Sequence, residues 1–252
     1  MAAAIALDST GVQITEAHSP PRPVVLLHGF ASTPRSLAFL ARHVRNRLKR
    51  PVLRPSLGFG WGDVSRAAKR VDAAIAAARF DDVDVVGHSL GGLVATELLK
   101  NVDRGVRVRR VITLGTPHAG VPLARYAAIA TLGFSPCMRQ LVQGSRYLAG
   151  LAARPVPAGS ELIAITGEAD GLVPERSSRI GTAVRQRWLR LRDLDHMQLV
   201  FHRDALALVG ELLGVADAVP SRPRVPVQVA RRATRRAVGR VVELANAAMA
   251  IA

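Results

Sequence analysis

The chain has 252 residues, 49% hydrophobic but only 4% aromatic, which suits one α/β domain with a core of Ala, Val, Leu and Ile. Its single cysteine, Cys137, excludes an internal disulfide, and no apolar run approaches the roughly 20 residues of a membrane span. A formal charge of +16 favours anionic surfaces, yet zinc-ligand spacing, a helix-turn-helix cue and an RNA-binding aromatic signature are all missing, which disfavours nucleic acid.

Residues 1–8 lack the positive flank and long apolar stretch of a secretory signal, so the expected location is the cytoplasm. A strand is expected at residues 23–28, stopping at Gly29. A helix follows at 36–48, with Leu37, Leu40, Ala41, Val44 and Leu48 on one face. A short strand at 51–54 leads through the glycine-rich loop 58–62 into an alanine-rich helix at 63–78. The apolar run 83–86 is the third strand and 92–99 the helix after it. Further strands are expected at 108–114, 161–167 and 186–191, and a last helix at 199–213. This alternation predicts a mostly parallel sheet of about six strands with helices on both faces.

Residues 121–158 exceed an ordinary connection and hold apolar helical pieces at 123–132 and 138–151. With the loop from 117 they form a lid-like segment, 117–158, over the sheet's carboxyl edge; a crossover helix plus loop is the alternative. The α/β domain is placed at 1–216. Residues 217–226, with Pro220, Pro223 and Pro226, read as a stiff linker, and 227–252 as a basic amphipathic helix. Residues 221–252 carry seven arginines and one acid, Glu243. Packing or self-association, peripheral contact with an anionic membrane, or a disordered tail are the readings of this segment.

The third strand ends in Gly87-His88-Ser89-Leu90-Gly91. A Gly-x-Ser-x-Gly turn between a buried strand and a helix is the nucleophile elbow of a serine hydrolase. The serine takes a strained backbone conformation that lifts its hydroxyl above the sheet edge, and glycines on either side let strand and helix approach. A serine hydroxyl needs a histidine base and an acid to orient it. Asp170 lies in the turn after the fifth strand and His196 in the loop before the last helix, matching the order Ser, acid, His. Glu168 is the alternative acid, while Asp193 and Asp195 more simply shape the histidine loop. The oxyanion donors are expected to be the backbone amides of Leu90, next to the nucleophile, and Phe30, in the turn after the first strand. His28 is expected to tie that turn down, and His88 to pack within the elbow. An apolar substrate lining is expected from Phe30, Leu90, Leu123, Ile129 and Met138, with Leu132, Phe134, Leu141 and Trp61 nearby.

The stretches Val25-Leu26-Leu27-His28-Gly29-Phe30, Gly87-His88-Ser89-Leu90-Gly91-Gly92, Leu114-Gly115-Thr116-Pro117-His118, Asp170-Gly171-Leu172-Val173-Pro174 and Asp195-His196 resemble the α/β-hydrolase fold family. Within it they look like the bacterial triacylglycerol lipase and esterase branch, over roughly residues 22–213. The resemblance implies Ser89 as nucleophile, Asp170 as acid and His196 as base, with no cofactor. Some lipases of this branch hold a structural calcium near the histidine loop, but no carboxylate pair here is assigned to one, and the expected metal set is none. The expected activity is hydrolysis of carboxylic esters, lipid-like or acyl, through an acyl-enzyme. Thioesters or amides are alternative substrates, and a quiet membrane-recruitment protein on the same fold is the alternative function.

Overall fold

The apolar runs pair into one sheet because strands covered by helices on both faces bury every side chain. The computed structural model describes residues 21–58, 62–100, 107–122, 135–180 and 185–214. Its strands are β1 (Val24–Leu27), β2 (Val52–Leu53), β3 (Asp82–His88), β4 (Arg107–Leu114), β5 (Glu161–Gly167) and β6 (Gln186–Leu191). They lie in the order β2-β1-β3-β4-β5-β6, and every neighbouring pair is parallel. This is the six-stranded α/β sheet that the alternation predicts.

The helices are α1 (Ala38–Arg47), α2 (Val64–Ala77), α3 (Leu90–Lys100), α4 (Pro136–Leu141), α5 (Arg146–Ala153), the short α6 (Glu175–Ser178) and α7 (Arg203–Gly214). Strand side chains alternate between two cores, as a period of two requires. Val25, Leu27, Val83, Val85, Val111 and Leu162 face α2, α3, α4 and α5. Val24, Leu26, Val86, Ile112, Leu114, Ile163 and Ile165 face α1 and α7. Asp63 caps α2 by accepting from the Arg66 amide, and Ser145 caps α5 by accepting from the Leu148 amide.

The expected elements differ from the structure mainly at their ends. A 3-10 turn, Pro34–Leu37, precedes α1. The apolar piece at 138–151 is two helices, broken at Val142–Ser145, where Gly144 takes a φ of 74°. The last helix is a 3-10 turn, Gln198–Val200, then α7, with Phe201 and His202 between them. His202 therefore precedes the helix rather than lying on it. Helix 123–132 and the tail 217–252 fall outside the described residues, as do Leu123, Ile129, Leu132, Phe134 and Trp61.

Residues 135–154 are fixed to the body. Cys137, Met138, Leu141, Leu148 and Leu151 are core residues. Gln140 donates to Asp63 at 2.7 Å and accepts from the Val64 amide at 2.9 Å. Lys100 donates to the Leu151 carbonyl at 3.0 Å, and Tyr147 to Glu97 at 3.3 Å. No helix among the described residues is long and apolar enough to cross a membrane.

Candidate active site

Parallel strands bring the ends of β1, β3, β4, β5 and β6 to one edge, and every sequence-expected catalytic side chain is found there. Ser89 has a φ of 53°, the left-handed region that costs a side-chain-bearing residue about 1–2 kcal/mol. Its amide donates to the Leu114 carbonyl at 2.8 Å. Its carbonyl accepts from Thr116 Oγ1 and from the Gly92 amide, both at 3.0 Å. These bonds pin the turn to β4 and hold the strain. A Cβ on Gly87 would strike the Gly91 backbone, and one on Gly91 the Leu27 carbonyl, which is why the turn needs small residues on both sides.

Asp170 and His196 meet directly. His196 Nδ1 and Asp170 Oδ2 are 2.7 Å apart, with both side chains buried. The other carboxylate oxygen accepts from the Leu172 amide at 3.0 Å and the Val173 amide at 2.8 Å. A carboxylate only accepts, so His196 Nδ1 carries the hydrogen, which in the neutral ring leaves Nε2 as the acceptor. Glu168 instead pairs with Arg190 at 3.6 Å near the surface. Asp195 accepts from the Gln198 amide while Gln198 accepts from the Asp195 amide, each at 2.8 Å, a reciprocal cap on the 3-10 turn after His196.

His88 does more than pack within the elbow. Its Nε2 lies 3.0 Å from the His196 carbonyl, which fixes the Nε2–H tautomer. The two rings sit 4.6 Å apart at 47°. Burial, and secondarily the neighbouring His196, push the His88 pKa down to about 3, so it stays neutral over the working range. His88 thus latches the loop bearing His196 to the strand end bearing Ser89.

Gly115 is the other residue that sequence reasoning passed over. At a φ of 54°, a Cβ there would lie 2.9 Å from Asp170 Oδ2 and 3.0 Å from His196 Nδ1. The Asp–His pair is seated on its bare backbone. A glycine directly after a buried strand was the available signal, but only the folded chain shows what rests on it.

The turn after β1 flanks the elbow. A Cβ on Gly29 would lie 3.1 Å from Ser89 Cβ, so the turn that carries Phe30 passes beside the serine. His28 accepts from the Leu57 amide through Nε2 at 3.0 Å, leaving Nδ1–H for the Gly29 carbonyl at 2.9 Å. Leu90 heads α3, where the first amides of a helix lack intrahelical acceptors. A cleft beside it is lined by Leu57, Gly62, Val64, Ala67, Arg70, Leu90 and Val94. Phe30 packs against this core while half-buried, and Met138 is buried within it. His118 holds Thr113 at 3.0 Å, and His43 packs beside Gly210 of α7. Among the described residues, no three His, Cys, Asp or Glu side chains converge as a metal ion would require.

The sequence matches the model of the "Alpha/beta hydrolase family" over residues 24–249. No curated protein sequence matches the chain. Among solved structures it is similar to the mature lipase BlEst2 of Bacillus licheniformis, at 18% identity and a TM-score of 0.64, covering 79% of this chain and 95% of that one. It is similar to a monoacylglycerol lipase of Paleococcus ferrophilus, at 16% identity and a TM-score of 0.54, covering 77% and 96%. It is also similar to a thermophilic esterase of Thermogutta terrifontis, at 15% identity and a TM-score of 0.54, covering 77% and 90%. With the family match spanning nearly the whole described body and the sheet order agreeing with it, the chain belongs to the α/β hydrolase family.

Proposed function

We propose that the protein is a serine hydrolase of carboxylic esters bearing acyl chains, working through an acyl-enzyme. The observation that carries this reading is the 2.7 Å bond between His196 Nδ1 and Asp170 Oδ2, held on the same strand edge as the strained Ser89. In the proposed reaction, His196 Nε2 takes the Ser89 hydroxyl proton as Oγ bonds to the ester carbonyl carbon. The amides of Phe30 and Leu90 receive the oxyanion. The carbon–oxygen bond to the alcohol then breaks, and the departing oxygen takes the proton from Nε2. Water repeats the sequence on the acyl-enzyme and frees the acid. Asp170 keeps the imidazole in the required tautomer and balances the charge it gains.

The similar solved structures are lipases and an esterase, which supports the same class of substrate. The test is a fluorophosphonate probe with mass mapping, alongside hydrolysis of a p-nitrophenyl ester. Covalent labelling at Ser89, lost in Ser89→Ala together with turnover, is the expected result. A folded protein that neither labels nor hydrolyses any ester overturns the reading. Matched oxygen ester, thioester and amide substrates rank the bond types that the same residues would cleave.

A further inference from the structure

Three large apolar side chains are exposed among the described residues: Phe39 by 65%, Phe201 by 44% and Met197 by 38%. Scattered singly they would need no explanation, but they share one rim. Phe39 is in the first turn of α1, which starts from the carboxyl edge after β1. Met197 directly follows His196, and Phe201 ends the 3-10 turn before α7. The Phe39 and Phe201 rings meet with centroids 6.5 Å apart at 55°. Two elements distant in sequence therefore build one apolar patch beside the site. The core does not need these side chains: α1 buries Leu40, Ala41 and Val44, and the turn buries Leu199 and Val200.

The charge around the patch is of one kind on the α1 side. Arg35 and Arg42 stand four residues before and three after Phe39, both exposed, and neither pairs with another described residue. On the other side Arg203 is exposed and lies 3.4 Å from Asp204, so that pair is locally balanced. Guanidinium groups fork onto phosphate oxygens, and apolar side chains between them reach the acyl boundary beneath. A second copy of the chain fits poorly. Both copies would carry +16, and three partly exposed side chains offer on the order of 300 Å², well short of the roughly 800 Å² per partner of a stable dimer.

We propose that Phe39, Met197 and Phe201, with Arg35 and Arg42 beside them, dock the protein onto an anionic phospholipid surface with the Ser89 rim facing the lipid. The purpose of this surface rests on the ester-hydrolase reading; its measurement does not. The surface belongs to α1 and the histidine loop.

The experiment uses the full chain, phosphatidylcholine vesicles with and without phosphatidylglycerol, and a water-soluble short-chain nitrophenyl ester as control. The Phe39→Ser/Phe201→Ser variant is expected to lose about tenfold or more in partition onto mixed vesicles while hydrolysing the soluble ester at the parental rate. Arg35→Gln/Arg42→Gln is expected to lose the preference for phosphatidylglycerol. Phe39→Trp is expected to add indole fluorescence that brominated lipid quenches, which tests insertion without removing a ring. Unchanged partition in the serine variant, or no added quenching, overturns the proposal. A change in sedimentation mass in place of vesicle affinity also overturns it, by assigning the patch to self-association. Failure of the parent on every ester sinks the enzymatic reading alone, because partition and quenching still decide the docking.

Discussion

The two edges of one sheet are built to opposite ends. At the amino edge, buried arginines are paired with carboxylates and backbone carbonyls. Arg50 lies 2.6 Å from Asp84, and donates to the Arg22 carbonyl at 2.5 Å and the Leu213 carbonyl at 2.8 Å. Arg110 lies 3.2 Å from Glu161 and donates to the Leu212 carbonyl at 2.7 Å. At the carboxyl edge, Ser89 is strained, two histidines are held neutral, and apolar rings face water. Net stability is small beside its opposing terms, so a few kcal/mol at either edge is felt by the whole fold. The comparison teaches that one edge only satisfies its buried charges, while the other arranges polar groups around a strained turn.

The comparison predicts that changes at the two edges separate activity from stability. The largest effect is at the serine: Ser89→Ala should lower turnover by on the order of 10⁶-fold with little change in melting temperature. Steady-state kinetics beside a thermal melt checks this, and comparable loss of both would break the separation. Asp84→Ala should do the reverse. It leaves the buried Arg50 guanidinium unpaired, at a cost of about 3–5 kcal/mol, while the folded fraction keeps its kcat. Denaturant titration reads the cost. The paired change Arg50→Met with Asp84→Leu should recover most of it.

His88 sharpens the contrast through pH. Its folded pKa of about 3 lies below the 6.5 of the unfolded chain, so the unfolded state binds the extra proton first. The stability it contributes is complete above about pH 6.5 and drains away as pH falls towards 3. The loss amounts to a few kcal/mol. His28 is also lowered by burial and adds to the same acid limb. His88→Gln keeps a donor in reach of the His196 carbonyl but has no proton to gain. Its stability should therefore fall less steeply between pH 6 and 4, read by denaturation at each pH.

The smallest effect compares two glycines with positive φ, one at each edge. Gly115→Ala would press on Asp170 and His196 and should cost about 10²-fold in kcat/KM by displacing them. Gly159, before β5, has a φ of 78° and its nearest neighbour for a Cβ is Arg109 at 3.4 Å. Gly159→Ala should cost about 1 kcal/mol of stability and nothing in kcat. Equal kinetic losses in the two variants would remove the special role of Gly115.

Much of this was legible because strands buried on both faces write themselves as unbroken apolar runs. β5 was expected at residues 161–167 and forms Glu161–Gly167; β6 was expected at 186–191 and forms Gln186–Leu191. The loop positions of Asp170 and His196 followed from the same reading, since a parallel sheet sends every strand end to one edge. Helix ends were less legible. The Asp195–Gln198 cap has a local signature, yet the apolar periodicity ran straight through Phe201 and His202. The latch from His88 to His196 joins residues 108 apart in the chain, and nothing local to either announces it. Gly115 is similar, because its meaning depends on two side chains delivered by later loops.

The grip of Arg50 and Arg110 on the last carbonyls of α7 also moors the end of that helix to the sheet's amino edge. Gly214 finishes that helix at the pole remote from Ser89, where the two guanidinium groups cap the negative end of its dipole.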